Sequence, residues 1–202
     1  MPSPQYRVAI FASGSGSNAE AIIQYFKNHA SIKVSLVLSN NPDAFVLERA
    51  KKASIKAVTF TREEYKIPGK VVHELAMENI THIVLAGFLW LVPEYLIKLY
   101  PDRIVNIHPA LLPKFGGKGM YGNRVHEAVK LAGEKETGIT IHLVNEHYDD
   151  GKVLFQKSCP VETHHSAADI AKFVLALEHK YYPQVIENWV VSHKDTTNTK
   201  KH

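Results

Sequence analysis

Cysteine is almost missing from this 202-residue chain: Cys159 stands alone, which excludes an intramolecular disulfide and any zinc cluster built on thiolates. A reducing compartment, the cytoplasm, is expected. An excess of one charge is missing too. The 24 Lys and Arg residues against 20 Asp and Glu leave a formal charge of +4 and a pI near 9.0, and only the tail KDTTNTKKH is locally basic. That balance suits an anionic small molecule and argues against a dedicated nucleic-acid surface. No apolar run approaches the ~20 residues that span a bilayer, and MPSPQYRVAIFA enters a strand without the charged and apolar regions of an export signal. No membrane partner is expected. The 12 histidines show no HExxH or comparable ligand spacing, so no metal is expected. No repeat, low-complexity linker or composition shift divides the chain, and its length suits one core. The expectation is one domain over 1–190 and a polar tail over 191–202, with the last ten residues frayed.

What is present alternates in period. YRVAIFA (6–12) is a short β-rich run, SGSGS follows, and NAEAIIQYFKN places Ile22, Ile23 and Phe26 on one helical face. The pattern repeats: a strand over 32–39, a helix over 44–53, a strand over 56–60, a helix over 70–79 and a strand over 81–87. Then come PEYLIKLY, the strand RIVNIH (103–108), a glycine-rich segment FGGKGMYG (115–122) and a helix from about Asn123. GITIHLVN (138–145) and KVLFQKSCPV (152–161) are strand candidates. A closing helix begins at the capping-box sequence SAAD (166–169) and carries the apolar stripe Ile170, Phe173, Val174 and Leu177. Strands that read as near-continuous Val, Ile and Leu runs are covered on both faces and mostly parallel. The fold class is α/β, a doubly wound sheet.

Three stretches carry chemistry. SGSGSN (13–18) sits between a strand and a helix N-terminus, where free N–H groups and the helix dipole favour an anion. With Ala19 the spacing also satisfies GxGxxA, but the second strand ends in LSNNPD, without the acid that a dinucleotide ribose requires. A phosphate site leads there; a dinucleotide site and a ligand-free tight turn are the alternatives. In RIVNIHPALLP (103–113), Asn106 and His108 stand at i and i+2 and project from one face of a strand end, the edge where α/β sheets bind ligands. An amide can stabilise an oxyanion and an imidazole can move a proton; a cap by Asn106 with an interior histidine at 108 is the structural alternative. In HLVNEHYDDGKVL (142–154) two aspartates precede a glycine between strands. One carboxylate there could orient His108 and raise its pKa, although turn chemistry alone also produces DDG.

These pieces together resemble the folate-dependent phosphoribosylglycinamide formyltransferase family from Arg7 to about Trp189. The likeness rests on GSGSN (14–18), SNNPDAFVLERAKKASI (39–55), VLAGFLWLV (84–92), NIHPALLPKF (106–115), DDG (149–151) and EHKYYP (178–183). The resemblance implies a Rossmann-like formyltransferase fold and a catalytic trio of Asn106, His108 and Asp149. It implies that Gly16, Ser17 and Asn18 hold the phosphate of glycinamide ribonucleotide and that Glu178 meets its ribose or amine end. It places the folate against Arg62, Asn106 and the backbone of Phe88, Leu89, Trp90, Leu91 and Val92. The implied co-substrate is 10-formyltetrahydrofolate, used without a metal, and the implied assembly is a monomer or homodimer. By the family's DxG register the first aspartate is the catalytic one, and a left-handed Gly151 is expected to turn Asp150 to solvent. This chain departs from the family in three places. Leu89-Trp90 stands where members often carry Met-Arg, the 115–122 loop is longer and richer in glycine, and Asp150 occupies a position that is often glycine.

Related chemistries share the trio. A formyltetrahydrofolate hydrolase normally adds an N-terminal regulatory domain and a methionyl-tRNA formyltransferase a C-terminal one, whereas the first strand here is expected to start at Tyr6. A non-catalytic nucleotide-binding module would rest on the glycine loop alone.

Overall fold

The computed structural model describes residues 5–193. Its elements run β1 (Tyr6–Phe11), α1 (Ser17–Phe26), β2 (Ile32–Ser39), α2 (Val46–Lys52), β3 (Lys56–Thr59), α3 (Arg62–Lys66), α4 (Lys70–Met77), β4 (His82–Leu85), α5 (Glu94–Leu99), β5 (Ile104–His108), α6 (Asn123–Leu131), β6 (Glu136–Leu143), β7 (Val153–Pro160) and α7 (Ala167–Ser192). All seven strands form one sheet in the order β3-β2-β1-β4-β5-β6-β7. The first five are mutually parallel, β6 runs antiparallel to β5, and β7 antiparallel to β6. The mostly parallel, doubly wound expectation holds, with an antiparallel hairpin closing one edge.

The near-continuous apolar strands have a direct cause. Along β1, Val8 and Ile10 enter one hydrophobic cluster while Ala9 and Phe11 enter another, because successive side chains leave a strand on opposite faces. The first cluster takes residues of α1, α2, α6 and α7, the second those of α4 and α5 with Tyr65 of α3. Both faces of the central strands are therefore buried, while the edge strands β3 and β7 stay largely exposed. The strand order reverses between β1 and β4, so their carboxyl ends diverge into a crevice, the usual ligand position in such sheets.

Two expectations about helices change. α3 was not foreseen; Thr61 caps it in a reciprocal capping box with Glu64, a local signal that its five residues are too short to show by periodicity. Phe173, expected in the buried stripe of α7, is 41% exposed and lays its ring edge-on to His165, 4.9 Å between centroids. Ile170 and Val174 carry that face instead. The capping box of α7 forms as read, Ser166 accepting from the N–H of Asp169. α7 continues to Ser192, past the boundary expected at 190, and residues 194–202 of the anticipated frayed tail lie outside the described residues. Among the described residues no helix is long and apolar enough to cross a membrane.

Candidate active site

One cavity of about 780 Å³ opens along the carboxyl ends of β1, β4 and β5. Its walls show why the chain folds as it does locally. The turn after β1 is braced from behind by α2. The N–H of Val46 donates to the Gly14 carbonyl at 3.2 Å, and Arg49 Nε donates to the Ser15 carbonyl at 2.8 Å. With the carbonyls pulled outward, the N–H groups of Gly14, Ser15 and Gly16 take no backbone partner among the described residues. They surround the N-terminus of α1, which has no side-chain cap. This is the geometry of an anion cradle. Gly16 is required by packing as well: its φ is +72°, and a Cβ there would lie 2.5 Å from Val46 Cγ2.

Asn18 turns away from that cradle and donates through Nδ2 to Glu178 Oε2 at 2.7 Å. Glu178 is 8% exposed on α7. Burial pushes its carboxyl up to about 7 against the opposing hydrogen bond from Asn18. Four residues on, Tyr182 is fully buried and its hydroxyl donates towards the Leu85 carbonyl at 2.9 Å and the Val105 carbonyl at 3.3 Å. That single hydroxyl ties α7 to β4 and β5 beside the crevice.

The centre of the cavity gathers Asn106, His108 and Asp149, joined by a histidine that sequence reasoning had set aside. His142 stands directly opposite Asn106 in the antiparallel β5–β6 register. Its Nδ1 meets the Leu143 carbonyl at 2.9 Å, and its Nε2 lies 3.2 Å from Asn106 Nδ2. An amide NH2 has two hydrogens, and one remains for a ligand. His108 Nε2 donates to the Phe115 carbonyl at 2.8 Å, while Nδ1 faces Asp149 Oδ2 at 3.5 Å. Asp149 Oδ1 also lies 3.6 Å from His142 Nε2.

The electrostatics follow from this burial. Desolvation lowers the pKa of His108, and the opposing pull of the Asp149 charge and of the Phe115 carbonyl does not fully offset it. Burial pushes the Asp149 carboxyl up, but His142, the charge of His108 and the Gly117 N–H together hold it below the usual range. Asp149 is therefore ionised at neutral pH.

The turn that presents Asp149 differs from expectation. The left-handed residue is Asp149 itself, φ +54°, not Gly151. Gly151 is a glycine because the chain passes against the end of β6, where a Cβ would sit 1.6 Å from the Leu143 carbonyl oxygen. Asp150 is exposed and meets Asn145 at 3.5 Å. The glycine-rich loop is tied to the centre at two points, since Phe115 accepts from His108 and the Gly117 N–H donates to Asp149 Oδ2 at 3.0 Å.

On the other side of the cavity the segment from Phe88 to Val92 supplies a wall, fixed by the Leu89 N–H donating to Ser13 Oγ at 3.1 Å. The rings of Phe88 and Trp90 pack with Phe60 and Tyr65. Leu89 and Leu91 are exposed and Val92 is buried. Arg62 is not part of the cavity wall; it is exposed and stacks over Trp90, 5.5 Å from the ring centroid. Among the described residues no cluster of His, Cys, Asp and Glu could hold a metal ion.

Comparison with known proteins shows the family and the fold. The model of the formyl transferase family matches residues 6–186. The chain is 38% identical over 186 residues to the chloroplastic phosphoribosylglycinamide formyltransferase of Arabidopsis thaliana, covering 89% of this chain and 64% of that protein. It is 34% identical over 186 residues to the phosphoribosylglycinamide formyltransferase of Bacillus subtilis, covering 90% and 93%. Against the crystal structure of phosphoribosylglycinamide formyltransferase from Bacillus halodurans the TM-score is 0.82 at 36% identity, with 94% of this chain and 98% of that chain covered. The chain thus spans a little under two thirds of the plant relative's length and nearly all of the bacterial ones.

Proposed function

The chain belongs to the formyl transferase family, and on that premise we propose that it transfers a formyl group from 10-formyltetrahydrofolate to the primary amine of glycinamide ribonucleotide, in the cytoplasm. The observation that carries the reading is the meeting of Asn106, His108 and Asp149 in a cavity that also receives the open turn before α1. The acceptor phosphate binds at Gly16, Ser17 and Asn18, and Glu178 meets the ribose or amine end. The pterin lies against the backbone of Phe88 to Val92, with Arg62 outside the cavity and available to the distal part of the folate.

Attack of the amine on the formyl carbon puts negative charge on the formyl oxygen. The second Nδ2 hydrogen of Asn106 points to that charge, and protonated His108 supplies the other donor. The Phe115 carbonyl holds the proton-bearing Nε2 of His108 until the oxyanion, a stronger acceptor, competes for it. Asp149 keeps the imidazolium form accessible despite burial. Holding both substrates at one strand end supplies the remaining acceleration by proximity.

Mixing the protein with formyl donor and glycinamide ribonucleotide and following folate absorbance tests the activity. Replacing Asn106 or His108 with Ala is expected to lower kcat by about 10² to 10⁴-fold with modest effect on binding. Near-normal turnover in either variant returns that residue to a structural role.

A further inference from the structure

The proposed mechanism leaves one proton without a receiver. When the acceptor nitrogen bonds to the formyl carbon it becomes cationic and must lose a proton. The groups already placed in the centre are committed: both nitrogens of His108 and both of His142 face partners, and Glu178 is bonded by Asn18. His126 is not committed. It lies on α6, one turn in from the helix start, between the buried Val125 and Val129, and is 6% exposed. Its ring makes no hydrogen bond among the described residues, and Nδ1 is sealed from solvent with no partner. An apolar side chain would fill this position between two valines without leaving a buried nitrogen unsatisfied.

His126 also reaches the cavity. It lines the same cavity as the α1 turn and as Val174 and Glu178 of α7, and α6 packs against α7. We infer that His126 is a further catalytic residue, the base that takes the proton released by the acceptor amine. The inference rests on the formyl-transfer reading above. The nitrogen–carbon bond forms, one proton passes from the nitrogen to the imidazole, and the bond from the formyl carbon to the donor nitrogen breaks with its electron pair on that nitrogen. The imidazolium then returns the proton to the donor nitrogen, directly or through water, so the site ends in its starting state. The charge state agrees. Burial, then the nearby charge of His108, hold the pKa of His126 below its ordinary value, so the ring is neutral and able to accept at neutral pH. Of the charged and titratable groups lining the cavity with it, Lys118, Tyr121, Arg124, His108, His142, His147, Tyr148, Asp149 and Glu178, His108 is the one whose charge weighs on it. A site in which Asp149 favours the protonated form of His108 against burial, while no carboxylate does so for His126, separates the oxyanion donor from the base.

The test starts with the intact wild-type protein, whose transfer of formyl to glycinamide ribonucleotide is measured first. In that background His126→Gln, which keeps volume and hydrogen bonding but cannot carry the proton, is expected to lower kcat about 10²-fold. KM for both substrates should stay within about threefold, and the acidic limb of the kcat profile should disappear. Added imidazole should restore part of the activity of His126→Ala. An unchanged kcat and pH profile in His126→Gln overturns the inference while leaving the formyl-transfer reading intact. Absence of transfer by the wild type overturns both. Where neither variant retains its fold, ¹⁵N-imidazole resonances of the wild type decide: saturating glycinamide ribonucleotide must shift the His126 nitrogens, and an unmoved signal overturns the assignment.

Discussion

Converting Asp149 to Asn removes one charge and little else. The backbone tolerates it, because Asn adopts the left-handed conformation at φ +54° as readily as Asp. The side chain keeps an oxygen for the Gly117 N–H that Asp149 Oδ2 accepts at 3.0 Å. What is lost is the attraction between the carboxylate and a protonated His108, whose Nδ1 lies 3.5 Å away with the two side chains 3% and 11% exposed. At such a separation and an effective dielectric of about 20, Coulomb attraction amounts to roughly 4 kcal/mol. Relaxation of the emptied site recovers part of it. That sets a ceiling near 10³-fold on the loss of transition-state stabilisation, and the expected fall in kcat is about 10²-fold. The sign on the pH axis is fixed. Asp149 raises the pKa of His108 against desolvation, so its removal lowers that pKa further, and the alkaline limb of kcat moves to lower pH. Asp150→Asn is the control. Its carboxylate is exposed and reaches Asn145 at 3.5 Å, so activity should stay within about tenfold of wild type. Paired pH-rate profiles of the two variants are the assay. A severe loss in Asp150→Asn with an active Asp149→Asn would refute the assignment, and a 10²-fold loss in Asp149→Asn without movement of the alkaline limb would refute its electrostatic cause.

Three other predictions come from the acceptor side. Glu178, with its carboxyl raised to about 7 by burial, is bound more tightly to its proton in the folded state, so its contribution to stability is fully present below pH ~4.5 and disappears as pH rises through ~7. Glu178→Gln should abolish that loss of about 3 kcal/mol, seen as a wild-type melting temperature that falls relative to the variant by several degrees from pH 5 to pH 8; parallel pH dependences would contradict the burial argument. Gly16→Ala should cost about 2 kcal/mol in urea denaturation, since a Cβ at φ +72° meets Val46 at 2.5 Å. The phosphate role is better tested by Ser17→Asp. A carboxylate at the start of α1 suits the helix dipole but repels an anion, so KM for glycinamide ribonucleotide should rise at least about tenfold with no drop in melting temperature. Equal effects on both substrates would exclude a phosphate there.

The sheet was legible because its cause is local. Val8, Ile10, Val34 and Leu36 announce two-sided burial without knowledge of any partner strand, and Ser166 with Asp169 announces a helix start four residues at a time. Helix ends were less legible. The expected helix over 44–53 begins at Val46 because Ala44 and Phe45 turn the chain so that Val46 can pack on Gly16. Phe173 satisfied the 3.6-residue period yet sits at the edge of the face that α7 buries, a position set by how the helix lies on the sheet and invisible to periodicity.

The candidate site divides in the same way. Asn106 and His108 could be paired from sequence because a strand fixes i and i+2 on one face. His142 could not, since its place opposite Asn106 depends on β6 running antiparallel to β5, and parallel pairing would have sent it elsewhere. Nothing in GITIHLVN states a direction. The same holds for Asp149, whose approach to His108 needs the chain to double back at the end of β6. That return requires Gly151, where the close passage of the Leu143 carbonyl leaves no room for a Cβ. Sequence supplied the glycine and suggested a left-handed turn; the structure shows a steric one, with the strained conformation carried by Asp149 instead. A carboxylate on a backbone held at φ +54° has few alternative positions, and its oxygens are already divided among His108, His142 and the Gly117 N–H. The antiparallel hairpin that breaks the parallel sheet is thus what brings a histidine of β6 and an aspartate of the turn after it onto a single amide and imidazole of β5.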